Sequence, residues 1–277
     1  MIDAHCHLEQ KEFDKDLDKV IENCKKAGLK AVITSCANPK DFEKTLQLAS
    51  KYAGFVFPCF GLHPEYIKEF SEKDVDEYLE KIKQNREKFV GFGEVGLDFY
   101  WIKETSWREK QKEQFAELIR FSKEIKKPLV VHCRDAFEDT IRILEQEDAK
   151  QVLLHMFGGK NFLESVVKNN WLISINYLVA RSKDYKKIAR DIPLENLTLE
   201  TDSPWNGVQK TIDSITSSDI VFKKHEDLKI ASLRCDPTVI KLTAEKIAEI
   251  KKIPFDNLWK SCLDNAKKFF NLESLSK

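Results

Sequence analysis

Short apolar runs recur along the chain, and many of their residues are β-branched or aromatic. Runs of five to seven such residues between polar segments predict β-strands. The eight predicted strands are Ile2–Cys6, Ala31–Cys36, Phe55–Gly61, Phe89–Gly93, Leu129–Cys133, Val152–Met156, Trp171–Ile175 and Leu197–Thr201.

Most segments between these runs place apolar residues at helical spacing. The first such set is Phe13, Leu17, Val20, Ile21 and Cys24. Gly28 then follows where a left-handed C-terminal cap is favourable. Asn38 and Pro39 predict a helix start by N-cap and first-turn proline, and Ser71 with Asp74 resembles a capping box. The chain therefore alternates strands and helices.

Continuous apolar strands separated by helices predict a parallel sheet covered by helices. Eight βα units fit a TIM (β/α)8 barrel, an α/β fold that forms one domain of about 250 residues. A doubly wound sheet is the rival, but no phosphate-binding glycine loop follows the first strand. We therefore expect a single domain over residues 1–277, with a loop excursion at about 206–232, where the sequence is rich in Ser, Thr, Asp and Lys.

Composition adds two constraints. A chain of 277 residues with 42% hydrophobic content suits a globular protein with a substantial core. The 46 basic residues balance the 46 acidic ones, so bulk charge gives no argument for binding nucleic acid or membranes. Any polyanion must then be bound at a local site.

The seven cysteines are scattered singly, without a C-x-x-C pair, which favours free thiols in a reducing compartment. The N-terminus lacks a signal-peptide pattern, and no stretch approaches 18 apolar residues. We expect a cytoplasmic protein without a membrane partner. The oligomeric state is not indicated.

Candidate chemistry gathers at the carboxyl ends of the predicted strands. Seven metal-competent or proton-transferring residues fall there: His5, His7, His63, Glu94, His132, His155 and Asp202. In a TIM barrel this end carries the active site, so these side chains are expected to converge. A lone strand-end histidine is more often a core residue, but the joint placement favours a functional site.

His5 and His7 are one residue apart on a predicted strand, so both should point to one face while Ala4 and Cys6 point to the other. Two imidazoles on one face can bind one metal ion. Imidazole with carboxylate suits zinc or another borderline divalent ion, whereas magnesium alone prefers oxygen ligands.

Four further candidate ligands extend this centre, and Glu200 is expected behind them. Glu94 is a charged residue in an apolar strand, which is costly without a strong partner, and its carboxylate can bridge two ions. His132 and His155 each follow an apolar run and predict a second metal site. Asp202 can ligate a metal and accept a proton from water. Glu200 should lie one layer deeper, as a support for a ligand or in a buried ion pair.

These residues occur in segments that resemble the TatD family of metal-dependent hydrolases. The segments are Ile2–Leu8, Gly61–Pro64, Gly93–Tyr100, His132–Ala136 and Leu199–Pro204. The resemblance spans nearly the whole chain. It implies a barrel enzyme in which one ion is held by His5, His7, Glu94 and Asp202, and the other by Glu94, His132 and His155. It also implies deoxyribonuclease activity for many relatives.

Two segments depart from the family pattern. Gly158 replaces the usual small polar residue after His155, and the usual Arg-Asn-Glu-Pro becomes Arg234–Pro237. The ligand His155 is intact. Substrate range is expected to differ at these places.

The leading hypothesis is a metal-dependent phosphodiester hydrolase, most consistent with a 3′-5′ exonuclease-like deoxyribonuclease acting on single-stranded or frayed DNA with two divalent ions (Zn, Mg or Mn). Glu94 and Asp202 are the candidate catalytic residues. His63 and Arg134 are candidate phosphate contacts, and the alternatives are a packed loop histidine and a salt bridge of Arg134 to Asp135 or Glu138.

The same metal centre can attack a carbonyl, so an amide or ester hydrolase such as an aminoacyl-tRNA deacylase is the alternative. A metal-binding scaffold without turnover is disfavoured, because the candidate base Asp202 and all candidate ligands are present. Four aromatic residues near strand ends can either stack nucleic-acid bases or pack between helix and barrel: Tyr100, Trp101, Trp107 and Trp205.

Overall fold

The computed structural model describes residues 1–205, 221–222 and 232–275, which contain an eight-stranded parallel sheet. The strands neighbour one another in chain order, as successive βα units require. They are β1 (Ile2–Cys6), β2 (Ala31–Cys36), β3 (Val56–Phe60), β4 (Gly91–Asp98), β5 (Leu129–Arg134), β6 (Val152–Leu154), β7 (Leu172–Ile175) and β8 (Leu197–Leu199). The short strands β9 (Val221–Phe222) and β10 (Ser232–Leu233) form a separate antiparallel pair.

Helices connect successive strands, and two more follow β8. They are α1 (Leu17–Lys26), α2 (Phe42–Lys51), α3 (Glu72–Gln84), α4 (Thr105–Glu124), α5 (Phe137–Gln146), α6 (Leu163–Lys168), α7 (Lys183–Asp191), α8 (Ile240–Lys251) and α9 (Phe255–Phe269). The predicted capping box of Ser71 and Asp74 begins α3. The side chain of Asn38 accepts a hydrogen bond from the Lys40 amide, but the turn it caps is a 3-10 helix.

The sheet is closed just beyond β8. The Asp202 amide donates a hydrogen bond to the His5 carbonyl (2.9 Å), and the His7 amide donates one to the Ser203 carbonyl (2.7 Å). The buried Asp3 carboxylate also accepts hydrogen bonds from the Thr201 amide and hydroxyl. The predicted (β/α)8 barrel is therefore confirmed, and the first and last strands meet at their carboxyl ends.

Apolar side chains fill the barrel below the candidate site. Val130 and Leu153 lie two residues before His132 and His155, so each shares a strand face with a candidate ligand. Both belong to an apolar cluster that Phe269 and Phe270, at the end of α9, complete. A larger cluster packs the other strand faces against the helices. The polar groups therefore lie above an interior that excludes water.

Three local predictions are wrong. The strand predicted at Phe89–Gly93 begins at Gly91 and runs to Asp98, so Glu94 lies inside β4; its glycines interrupted the apolar pattern. Ala4 and Cys6 do not share a face, because a register shift in β1 places them in different apolar clusters. Phe13 lies in a 3-10 turn, and α1 begins at Leu17.

Most of the predicted loop excursion, residues 206–232, lies outside the described residues, so the single-domain organisation of residues 1–277 stays a prediction. Among the helices that the structure describes, none is long and apolar enough to cross a membrane.

Candidate metal centre

A first set of ligand atoms gathers around His5 and His7 at the carboxyl end of β1. The two Nε2 atoms lie 3.2 Å apart. Glu94 Oε1 lies 3.6 Å from His5 Nε2 and 3.7 Å from His7 Nε2. Asp202 Oδ1 lies 3.9 Å and 3.4 Å from the same two nitrogens. These four side chains therefore surround one point with two nitrogen and two oxygen atoms.

A second set shares Glu94. Its other oxygen, Oε2, lies 3.1 Å from His132 Nδ1 and 2.9 Å from His155 Nε2. The two histidine nitrogens are 3.3 Å apart. Since Oε1 faces the first set and Oε2 the second, the Glu94 carboxylate lies between two groups of ligand atoms.

These distances fit metal binding. A tetrahedral zinc ion with bonds of about 2.0–2.1 Å holds its ligand atoms about 3.3–3.4 Å apart. The separations within each set, 2.9 to 3.9 Å, bracket that value. All six side chains are buried, and imidazole with carboxylate is a donor set for borderline divalent ions. The six predicted metal ligands therefore meet as two sets able to hold an ion each.

Each histidine on β1 is oriented through its second ring nitrogen by Ser35 of β2. His7 Nδ1 lies 2.8 Å from the Ser35 carbonyl oxygen, and His5 Nδ1 lies 3.0 Å from the Ser35 hydroxyl. Glu9 Oε1 is 3.4 Å from His7 Nδ1. A carbonyl oxygen only accepts, so His7 Nδ1 carries a proton, and Nε2 is the ring nitrogen that faces the first set.

The histidines of the second set are supported by carboxylates. His132 Nε2 lies 3.1 Å from Asp98 Oδ2, which leaves Nδ1 for the ligand set. The nearest carboxylate to His155 Nδ1 is that of Glu200, at 3.4 Å, and Glu200 in turn accepts a hydrogen bond from Ser174. Carboxylates in this position fix the ring orientation of metal-binding histidines and raise their basicity.

The electrostatics of the cluster favour a bound cation. Burial raises the pKa of Glu94, but the neighbouring histidines, His155 first among them, hold it well below its usual range. Burial opposes charge on His155 as well, yet Glu94 and Glu200 raise its pKa well above the ordinary value. The buried carboxylates therefore remain ionised and need positive charge beside them.

Two glycines in β4 allow Glu94 to reach this position. Gly93 has φ +150°, and a Cβ there would lie 2.3 Å from the Val130 carbonyl oxygen. Gly96 has φ +146°, and a Cβ there would lie 2.0 Å from the His132 carbonyl oxygen. Only glycine permits β4 to pass so close to β5.

Asp202 lies three residues beyond β8 with φ +58°, in the left-handed region that aspartate tolerates. Burial raises its pKa, but His7, His155 and His5 shift it below the usual value. Its carboxylate is therefore ionised and able to accept a proton.

The two predicted phosphate contacts have different surroundings. His63 Nε2 is 3.8 Å from Glu94 Oε2, while its Nδ1 accepts a hydrogen bond from the Glu65 amide. Burial and then His132 lower the pKa of His63 to about 3, so its ring is neutral. Arg134 forms no ion pair with any described residue, and its guanidinium lies 3.8 Å from the Tyr100 ring centroid. His63 is buried and caps the turn after β3, so the alternative of a packed loop histidine remains open, whereas Arg134 does not pair with Asp135 or Glu138.

Sequence reasoning gave no role to Ser35, Glu9 or Asp98, although each contacts a candidate ligand. Asp98 ends β4 inside the recognised segment Gly93–Tyr100, which was the one signal for it. Nothing in the sequence distinguished Ser35 or Glu9 from other polar residues at strand ends.

A (β/α)8 barrel with an N/O ligand centre at its carboxyl end defines a metal-dependent hydrolase. The family model for TatD related DNase matches residues 2–271. Deoxyribonuclease TATDN3 of Homo sapiens is 33% identical over 279 residues, covering 98% of this chain and 94% of its own. The chain therefore belongs to the TatD related DNase family, and the predicted hydrolase is confirmed.

Two further comparisons agree. The uncharacterized metal-dependent hydrolase MJ1582 of Methanocaldococcus jannaschii is 32% identical and covers 97% of this chain and 96% of its own. The crystal structure of a TatD family hydrolase from Entamoeba histolytica superposes with a TM-score of 0.84, with 22% identity and 98% coverage of both chains. The latter likeness supports the barrel fold.

Proposed function

We propose that this protein is a deoxyribonuclease that hydrolyses phosphodiester bonds at a centre of two divalent metal ions. The proposed ligands are His5, His7, Glu94 and Asp202 for one ion, and Glu94, His132 and His155 for the other. Glu94 would contact both ions, since its two oxygens face different ligand sets.

One observation carries the proposal. His7 Nδ1 donates a hydrogen bond to the Ser35 carbonyl, and His132 Nε2 donates one to Asp98. The lone pair of the other nitrogen of each ring is therefore available to a cation. Those lone pairs face carboxylate oxygens at 3.4 Å and 3.1 Å. Two acceptors at this distance in a buried site require a cation between them, either a proton or a metal ion. One such pair of acceptors lies in each ligand set, and the two sets share Glu94, which favours one metal ion in each set.

The imidazole nitrogens of both sets favour zinc, and their carboxylates are compatible with manganese, whereas magnesium prefers oxygen ligands alone. When bound, the ions would polarise the phosphoryl group and lower the pKa of water toward about 7. The protein contributes fixed geometry, because all six ligands are buried and the second ring nitrogens of His5, His7 and His132 are hydrogen-bonded.

Asp202 is the proposed proton acceptor for the attacking water. Its ionised carboxylate faces the first set and is held by the bond from its own amide to the His5 carbonyl. Glu94 positions the two ligand sets relative to each other. His63, neutral and buried, would donate one hydrogen bond from Nε2 to the phosphate, whereas the Arg134 guanidinium would supply charge.

The family and the name of its human relative support DNA as the substrate. The ligand atoms lie inside the barrel mouth, where an end of a strand reaches more easily than the middle of a duplex. We therefore propose cutting from a 3′ end, on single-stranded or frayed DNA. We also propose a cytoplasmic location, supported by seven buried cysteines that form no disulfide.

Digestion of DNA labelled at the 5′ end tests the proposal. Chelated protein is given back zinc, manganese or magnesium and then single-stranded or duplex DNA. Stepwise shortening from the 3′ end, faster on single strands and restored by zinc or manganese, is expected. Hydrolysis of a carboxylic ester with no cleavage of DNA would instead establish the amide or ester hydrolase.

Asp202→Asn and Asp135→Asn form a matched pair for the role of Asp202. Both residues have positive φ, and Asp135 is exposed outside the ligand sets. Asp202→Asn should lose cleavage by at least about 100-fold, within the range for removing a general base, and keep its fold. Asp135→Asn should cleave normally. Equal activity of the two variants would show that Asp202 has another role.

A further inference from the structure

Two adjacent aromatic side chains are exposed beside the metal centre, at the beginning of the segment that joins β4 to α4. Tyr100 is 40% exposed and Trp101 is 55% exposed, the largest fraction among the large hydrophobic side chains that the structure describes. Their ring centroids lie 4.9 Å apart at 82°. Exposing two neighbouring aromatic rings to water is unfavourable, so a role in binding is a reasonable explanation.

Arg134 completes this surface, which we call the aromatic platform (Tyr100, Trp101 and Arg134). Its guanidinium carbon lies 3.8 Å from the Tyr100 centroid and 5.7 Å from the Trp101 centroid. Arg134 comes two residues after His132 on β5, so the two side chains share a strand face. Arg134 therefore lies on the same strand face as the candidate metal ligand His132, two residues farther along β5.

The platform is fixed to the metal centre through one carboxylate. Asp98 Oδ1 accepts hydrogen bonds from the amides of Tyr100 (2.9 Å) and Trp101 (2.8 Å). The other oxygen, Oδ2, contacts His132 Nε2. Arg108 adds hydrogen bonds to the carbonyls of Phe99 and Ile102, one on each side of the two aromatic residues. The backbone of this segment is thus well supported while its rings face water.

We propose that the aromatic platform is a stacking subsite for an unpaired nucleobase next to the phosphodiester bond that is cut. The proposal rests on the proposed deoxyribonuclease function and assigns its single-strand preference to named residues. A base in a duplex already stacks on its neighbours, so its face is not available to Trp101; an unpaired base is free to stack. Arg134 has no ion-pair partner among the residues that the structure describes, so its charge suits the adjacent phosphate.

Trp101→Ala, Trp101→Phe and Trp107→Ala test the subsite. Trp107 is a matched control, because it is a half-buried tryptophan at the start of α4 that contacts Lys68 and Lys110 instead of Arg134. The substrates are a single-stranded oligonucleotide, the same strand with abasic sites at its 3′ end, and bis(p-nitrophenyl) phosphate. The measured quantity is kcat/KM for the intact strand divided by kcat/KM for the abasic strand.

Base stacking on an aromatic residue is worth about 5-fold to about 150-fold per base. Trp101→Ala should lower the intact-to-abasic ratio by a factor in this range, whereas Trp101→Phe should keep most of it and Trp107→Ala all of it. Fluorescence of 2-aminopurine at the 3′ end gives a readout without turnover. Binding to Asp202→Asn should quench it, and the Trp101→Ala, Asp202→Asn double variant should quench it much less.

An unchanged ratio in Trp101→Ala, or an equal fall in Trp107→Ala, would overturn the subsite while DNA cleavage itself continues. Absence of phosphodiester hydrolysis on all three substrates would instead overturn the proposed function and the subsite with it. Concentration-dependent dimerisation in sedimentation, abolished by Trp101→Ala, would assign the platform to a second copy of this chain and also overturn the subsite.

Discussion

Asp98→Asn tests the support of the second metal site most directly. Asp98 Oδ2 accepts a hydrogen bond from His132 Nε2 (3.1 Å), which leaves His132 Nδ1 as the ligand atom. Asparagine keeps Oδ1 for the amides of Tyr100 and Trp101 but places an NH2 group where Oδ2 was. Two donors then face each other. His132 relieves this contact by moving its proton to Nδ1, which removes the lone pair from the metal site.

Loss of such a supporting carboxylate costs about 10-fold to 100-fold in metal affinity or activity. This corresponds to about 1.4–2.7 kcal/mol at 1.36 kcal/mol per factor of ten. We expect the upper end, because the contact is buried and the amide reverses its donor and acceptor roles. None of the four ligands of the first set contacts Asp98. The affinity of the ion in the second set should therefore fall, while that of the ion in the first set is kept.

Chelator-competition titrations with zinc measure the two affinities, and kcat/KM on single-stranded DNA measures the consequence. Asp135→Asn is the control, since it makes the same substitution at an exposed position one residue after Arg134. Wild-type protein and the control should bind two ions with unchanged affinities. If Asp98→Asn also keeps both affinities and its activity within a factor of two, the inferred protonation of His132 is wrong.

Three other changes test separate parts of the structure. Glu94→Gln should reduce binding from two ions to at most one in metal analysis, because an amide lacks the charge that both sets share; two retained ions would contradict the bridge. Gly96→Ala should lower the free energy of unfolding by at least about 1–3 kcal/mol in urea denaturation, since its Cβ would meet the His132 carbonyl, and an unchanged midpoint would contradict this. Asp16→Asn should destabilise by about 0.5–1 kcal/mol at pH 7, because Arg234 bonds both carboxylate oxygens and lowers the pKa of Asp16. Because the pKa of Asp16 is lower in the folded state, its carboxylate adds to stability above the unfolded pKa of about 3.9, and this contribution is lost as the pH falls further. The free energies of unfolding of the two proteins should therefore become equal in acid. A constant difference from pH 7 to pH 2 would refute the ion pair.

The fold was predictable because its signal is repeated. Eight apolar runs separated by amphipathic segments specify parallel strands, and parallel strands joined by helices leave few topologies. The error at β4 has a physical cause. Gly91, Gly93 and Gly96 are needed for close packing against β5, but they remove the apolar side chains by which a strand is recognised.

The convergence of the candidate ligands was predictable for a related reason. A metal ligand must be one of a few side chains, and chain direction in a parallel barrel places all strand ends on one side. His5, Glu94 and Asp202 come from β1, β4 and the segment after β8, yet meet within 3.9 Å. Residue type and topology together were sufficient, and no knowledge of individual side-chain conformations was required.

The groups that orient the ligands could not be identified from the sequence, because any acceptor atom in the right place can orient an imidazole ring. Ser35 serves His5 with its hydroxyl and His7 with its backbone carbonyl. Every residue has a backbone carbonyl, so the second contact leaves no trace in residue type. The register shift in β1, which sequence alternation does not reveal, also determines which atoms of β2 these histidines meet. The candidate ligands are therefore visible in the sequence, while the orientation of their rings depends on backbone geometry.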